Sequence, residues 1–93
     1  MIRKELVHYV LHDTGYDAEV VEKIILSALD NIKIAIARGE EVNLRGFGLF
    51  KPWVTKERTA RDIRRGVQVT VPPKHKVKFI PSLLIKDMLK ALD

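Results

Sequence analysis

The sequence predicts an α+β domain: two N-terminal helices, an antiparallel sheet drawn out into a basic arm, and a short C-terminal helix. Three observations predict it. Apolar residues recur at helical spacing from Ile2 to Ile36, and again from Leu83 to Leu92. Between these stretches Val67, Val69 and Val71 alternate with period two, as strands do. The charge is also concentrated. Residues 51–78 hold nine Lys/Arg against Glu57 and Asp62, a local balance of +7 in a chain whose whole balance is +5, so the remainder sums to −2.

The first helix is expected over Ile2 to Thr14. Ile2, Leu6, Val7, Val10 and Leu11 form its apolar side, and Gly15 is placed to end it with a left-handed residue. Asp17 is the N-cap candidate of the second helix, with Glu19 and Glu22 in the first turns, where a helix favours negative charge. That helix runs from Ala18 to Arg38, and Gly39 follows as a stop. Val20, Val21, Ile24, Ile25, Ala28, Leu29, Ile32, Ala35 and Ile36 make a wide apolar face, with Leu26 and Ile34 outside it. So much apolar surface must be covered from more than one side, which one short helix cannot do alone.

Glu41 to Leu44 reads as a short strand, Arg45 to Gly48 as a turn, and Leu49 to Lys56 as the return strand of a hairpin. Pro52 cannot donate a ladder hydrogen bond and predicts an edge or a bulge. The polar stretch 58–66 reads as the tip of an arm, with Gly66 as the turning residue. Pro72-Pro73 predicts an interruption of the returning strand before Val77 and Phe79 resume the core-facing pattern. Ser82 is the N-cap candidate of the last helix, whose apolar side is Leu83, Leu84, Ile85, Met88, Leu89 and Leu92.

The 93 residues suit one domain, and a 46% hydrophobic content is too high for a disordered chain. A lone domain of this size buries a modest fraction of its surface, so oligomerisation is already in view. Without cysteine there are no disulfides, thiol chemistry or cysteine-ligated zinc. The opening MIRKELVHYVLHD carries charges within its apolar pattern and does not read as a signal peptide, and no apolar run approaches a membrane span.

Other motifs weigh against catalysis. His8 and His12 stand at the spacing of a helical metal pair, but no third ligand accompanies them, and an exposed pair is the expectation. Gly46 and Gly48 precede a strand, not a helix, so they are no dinucleotide loop. Ser27 falls mid-helix, Ser82 reads as a cap, and neither has a histidine–carboxylate pair nearby in sequence. Trp53 reads either as a platform for stacking bases or as a residue packed on the sheet near the base of the arm, with packing the expectation. No enzymatic constellation and no cofactor are expected. The basic ribbon asks for a polyanion, with nucleic acid favoured over a membrane surface.

The order of elements, together with Gly39, Arg45-Gly46-Phe47-Gly48-Leu49-Phe50, Arg58, Arg61, Gly66, Phe79 and Ile85-Lys86-Asp87, resembles the HU/IHF family of bacterial DNA-bending, nucleoid-associated proteins. The likeness spans nearly the whole chain, and the Gly-Phe-Gly-x-Phe run is its most specific part. It implies the IHF-like α+β fold as a single domain over 1–93. Residues 1–41 would form a helical dimerisation body, 42–81 the three-stranded sheet and the long arm with its tip at about 58–66, and 82–93 the C-terminal helix. It also implies an intertwined homodimer, or a heterodimer with a paralogue, with Phe47, Phe50 and Phe79 at the dimer core.

For function, the resemblance implies arms that lie in the minor groove and kink the duplex with a wedge at each tip. That mechanism is known for the family as a whole and is not read from these residues. Arg58 and Arg61 match arm arginines. Lys74, Lys76 and Lys78 fall on the returning strand, where phosphate contact is expected. Gly46, beside Arg45, matches a turn that approaches a phosphate, and Lys86 matches a lysine that meets flanking DNA. Lys56, Arg64 and Arg65 complete the expected DNA-contacting set. The family's tip normally reads Arg-Asn-Pro, whereas this chain has Arg61-Asp62-Ile63, so Ile63 is the expected wedge. The usual glycine before the last helix is Ser82 here. The expected protein is a cytoplasmic, nucleoid-associated binder of double-stranded DNA with little sequence specificity. A site-specific bender of the IHF kind is the alternative, and a structural protein using its arm for protein or anionic-membrane contact is the reading from another class.

Overall fold

The structure is a computed structural model and describes residues 1–62 and 64–93. The chain divides into two compact units, Met1–Ile34 and Ala35–Asp93. Three helices and five strands follow in the order α1 (Arg3–Thr14), α2 (Ala18–Ala37), β1 (Val42–Leu44), β2 (Gly48–Val54), β3 (Arg58–Asp62), β4 (Val67–Val71), β5 (His75–Pro81) and α3 (Leu83–Lys90).

In the first unit, α1 ends where its sequence stops being compatible with a helix. Gly15 takes φ 75°, and its N–H donates to the Leu11 carbonyl at 2.8 Å. A left-handed residue here costs a glycine nothing sterically. The Asp17 carbonyl accepts the first bond of α2 from Val21 N–H at 3.0 Å, the geometry of the predicted cap position. Val7 of α1 and Val21 of α2 are buried, and among the described residues they are the only buried apolar side chains. The wide face of α2 divides. Val21 and Ile25 are at least partly covered, whereas Val20, Ile24 and Leu29 of the predicted stripe stand exposed, Ile24 at 59%. Leu26, expected outside the stripe, is half-buried instead. No described helix is long and apolar enough to cross a membrane.

In the second unit, β1, β2 and β5 form one antiparallel sheet in the order β1-β2-β5, and β3 and β4 form a separate two-stranded ribbon. The β2–β5 register is unbroken from Gly48↔Pro81 to Val54↔His75, so Pro52 causes no bulge. β1 faces only Gly48 to Phe50, so at Pro52 the strand is an edge on that side, where the missing N–H costs no ladder bond. Phe50 and Phe79 are directly opposed, with ring centroids 4.9 Å apart, and Phe47 lies 5.3 Å from Phe79.

Two expectations need correction. β2 ends at Val54, not at Lys56. The interruption predicted at Pro72-Pro73 is thus matched on the opposite strand by a break at residues 55–57. The stretch read as a polar tip over 58–66 is mostly strand, because Arg58 to Asp62 pairs with Val67 to Val71. Thr59, Thr70 and Val69 are sheet formers, and they pair across the ribbon, Val69 opposite Ala60, despite having no core to cover.

Candidate nucleic-acid interface

The arm is anchored at both ends by side-chain hydrogen bonds. At its root Thr55 N–H donates to the Lys74 carbonyl at 2.9 Å, and Lys74 N–H donates to Thr55 Oγ1 at 2.8 Å. This reciprocal pair closes the gap that the prolines open, at the foot of the ribbon where Lys56 and Lys74 lie. At the far end Asp62 Oδ1 accepts from the backbone N–H of Arg64 at 3.0 Å and of Arg65 at 3.4 Å. Its backbone carbonyl accepts from Gly66 N–H at 2.7 Å. Gly66 has φ 68°, which the turn requires and a side chain would resist. The Arg65 guanidinium lies 3.9 Å from Asp62 Oδ2. Asp62, an acid in a basic arm, is therefore the acceptor that shapes the turn, as Asx side chains do.

Register distributes the cations. Along the ribbon Arg58, Ala60 and Asp62 share a face with Val67, Val69 and Val71, while Arg61 shares the other with Thr59, Gln68 and Thr70. The two arm arginines grouped by sequence therefore point from opposite faces, one largely aliphatic and one polar. Arg64 and Arg65 are exposed in the turn. The wedge assigned to Ile63 lies outside the described residues.

On the central sheet, Lys51 opposes Lys78 and Trp53 opposes Lys76. Directly opposed and alternate residues point to one side, so these four occupy a single face. The other face carries Phe50, Pro52, Val77 and Phe79. Lys51 was missed in the sequence reading, although its distance of two residues from Trp53 could have suggested it. Trp53 does sit on the sheet near the base of the arm, but it is 42% exposed and not packed away.

Arg45 and Gly46 lie in the β1–β2 turn, where Gly46 has φ 78°. Ser82 ties this turn to α3. Its hydroxyl donates to the Gly46 carbonyl at 3.0 Å and accepts from Ile85 N–H at 3.3 Å, while its own N–H donates to the Phe47 carbonyl at 2.9 Å. The serine thus caps the helix and holds the turn. Lys86 is exposed one turn into α3, apart from the arm in sequence. Besides Lys51, sequence reasoning overlooked the roles of Thr55 and Asp62, which are uncharged and acidic and act on the backbone.

Comparison with known proteins gives a consistent result. A family model described as bacterial DNA-binding protein matches residues 1–90. Integration host factor subunit alpha of Paracoccus denitrificans is 31% identical over 91 residues, spanning 98% of this chain and 89% of the relative. The subunit of the same name from an Anaeromyxobacter strain is 26% identical over 93 residues, spanning 100% of this chain and 94% of the relative. Among solved structures, an HU–DNA cocrystal structure from Anabaena superposes with a TM-score of 0.84 at 25% identity, covering 96% of this chain and 97% of that one. An HU variant from Thermotoga maritima gives 0.69 at 27% identity, covering 96% and 99%. With the family model spanning nearly its whole length, the chain belongs to the HU/IHF family of bacterial DNA-binding proteins, which are architectural proteins and not enzymes.

Proposed function

We propose that two copies of this chain form a dimer whose two arms enter the minor groove of duplex DNA and bend it, largely without reading base sequence. The observation that carries this is the arm itself: a paired ribbon pinned at its root by Thr55 and Lys74, bearing Arg58, Arg61, Arg64 and Arg65, with Lys56 and Lys74 at its foot. Cations at this density neutralise phosphates and release counterions. The minor groove presents a degenerate pattern, so a ribbon of arginines in it responds chiefly to groove width and deformability. Lys76, Lys78, Lys86 and the Arg45–Gly46 turn are assigned to phosphate contacts beside the arm. Ile63, by its place in the sequence, is assigned the wedge that proline supplies elsewhere in the family.

A second copy is supported by what the chain leaves uncovered. Phe47 and Phe79 are 49% and 42% exposed, and Leu84, Met88 and Leu89 of α3 are exposed as well. Apolar surface on that scale calls for a partner. The family's place on the nucleoid assigns the protein to bacterial DNA in the cytoplasm.

The test combines sedimentation equilibrium with fluorescence anisotropy on unrelated duplexes of equal length over a salt series, and with energy transfer between the duplex ends. A dimer, similar affinities across sequences, shortened end-to-end distances and a log–log salt slope of about −0.9 per phosphate contacted are expected. Ile63→Ala should lessen the bend. Failure to bind any duplex at low salt overturns the reading. The relatives from Paracoccus and Anaeromyxobacter, each a subunit of integration host factor, favour a second reading: a site-specific bender that pairs with another chain. Footprints confined to particular sites on random DNA, or a monomer that dimerises only with a paralogue, would select it.

A further inference from the structure

The arm has two outer edges, and they are not alike. β3 and β4 form a ribbon of two strands, so the outward side of each is unpaired among the described residues. β3 carries Arg58, Arg61 and Asp62 within its five residues. Charged side chains on an edge strand discourage another chain from pairing with it. β4, Val67-Gln68-Val69-Thr70-Val71, carries no charge. It is a run of β-branched residues interrupted only by glutamine, a composition that favours strand pairing. Val67 is 49% exposed and Val69 39%. The edge is also bounded. Gly66 turns the chain before it, and Pro72-Pro73, which have no N–H to donate, follow it.

Register gives this edge two faces. Val67, Val69 and Val71 make an aliphatic one with Ala60, while Gln68 and Thr70 share the other with Arg61. Exposed cations stand at both ends, Arg64 and Arg65 before the strand and Lys74 beyond it. A segment laid along β4 would therefore meet free backbone donors and acceptors, valines on one side and positive charge around it. Its complement is an extended strand whose side chains alternate between apolar and acidic. We infer that β4 is a docking edge for such an acidic segment of another protein, which adds a third strand to the arm. A second copy's β4 would offer the same hydrogen bonds but bring its own Arg64, Arg65 and Lys74 alongside, and like charges on neighbouring strands repel. A third strand widens the ribbon by about 4.8 Å, and its acids would face the phosphates of a groove. Docking and groove entry thus exclude one another, a consequence that rests on the DNA-binding role proposed above; the docking edge itself does not.

The probe is a heptapeptide alternating glutamate and valine with blocked ends. Its control is the same peptide methylated on its backbone nitrogens, which keeps charge and side chains but removes the ladder donors. Exchange of the outward-facing amides within Val67–Val71 should slow by about tenfold with the alternating peptide and not with the methylated one. The alternating peptide should also displace a labelled duplex at a concentration on the order of tenfold lower than the control. Equal displacement by the two peptides means attraction between charges alone and overturns the docking edge, as does unchanged exchange in β4. Protection of β4 without peptide, together with a mass above that of a dimer, gives the edge to a second copy and also overturns the inference. Slowed exchange in a protein that binds no duplex upholds the docking edge and overturns the DNA-binding role.

Discussion

Replacing Gly48 with alanine should weaken the sheet that carries the arm. An added Cβ would lie 2.5 Å from Phe79 Cε1, 2.6 Å from Phe79 Cζ and 2.7 Å from the Ile80 carbonyl oxygen. The ring cannot simply swing aside, since it rests against Phe47 and Phe50 at 5.3 and 4.9 Å. The carbonyl cannot move without opening the ladder, because Ile80 is held opposite Leu49. Overpacking of this kind costs about 1–3 kcal/mol, and disturbing the aromatic pairs adds roughly 0.5–1.5 kcal/mol each. Together these terms come to about 2–6 kcal/mol, a fall in Tm of roughly 8 °C or more for a domain of this size. The assay is thermal unfolding followed by circular dichroism at a fixed protomer concentration, since dimerisation makes Tm concentration-dependent. Gly66→Ala is the contrast: among the described residues nothing lies within 4 Å of the added Cβ, and the left-handed φ of 68° is the strain, which costs about 1–2 kcal/mol. A Gly48→Ala protein melting within about 3 °C of the parent would refute the close approach of Phe79 and the backbone beyond it.

Three further outcomes follow from the site. Asp62→Asn keeps an oxygen that can accept from Arg64 and Arg65 but removes a negative charge from the arm, so duplex affinity by anisotropy should rise about threefold to tenfold at low salt and converge with the parent at high salt. Unchanged affinity at low salt would argue that the tip stays clear of DNA. Ser82→Ala loses both the α3 cap and the bond to Gly46, and a lower urea midpoint equivalent to about 1–2 kcal/mol is expected. Thr55→Val removes the acceptor for Lys74 N–H at the arm root, so exchange of that amide should quicken by roughly fivefold to tenfold while global stability, for an exposed bond, shifts by under about 1 kcal/mol.

The helices were legible because their signals are local. The turn from Leu11 to Gly15 and the cap from Ser82 to Ile85 each span five residues or fewer, and the residue types needed are written into those spans. The interruption at Pro72-Pro73 was legible for the same reason, since proline has no N–H wherever it sits. Its counterpart at residues 55–57 was not. Val54-Thr55-Lys56 continues the alternation of β2, and the strand stops there because the register puts Lys56 and Glu57 opposite Pro73 and Pro72, which have no N–H to give the ladder. The arm showed its charge but not its faces. Register against β4 separates Arg58 from Arg61, and it turns a stretch read as loose tip into paired strand.

By itself the sequence determined the order of the elements, the concentration of positive charge on one ribbon, and an apolar surplus too large for one short chain to bury. These depend on composition and on spacing within a few residues. Tertiary structure alone decided which side of each strand faces where. Phe50 pairs with Phe79, and that contact between distant segments leaves Lys51, Trp53, Lys76 and Lys78 together on the other face. Alternation makes two faces of every strand, and only long-range packing chooses between them.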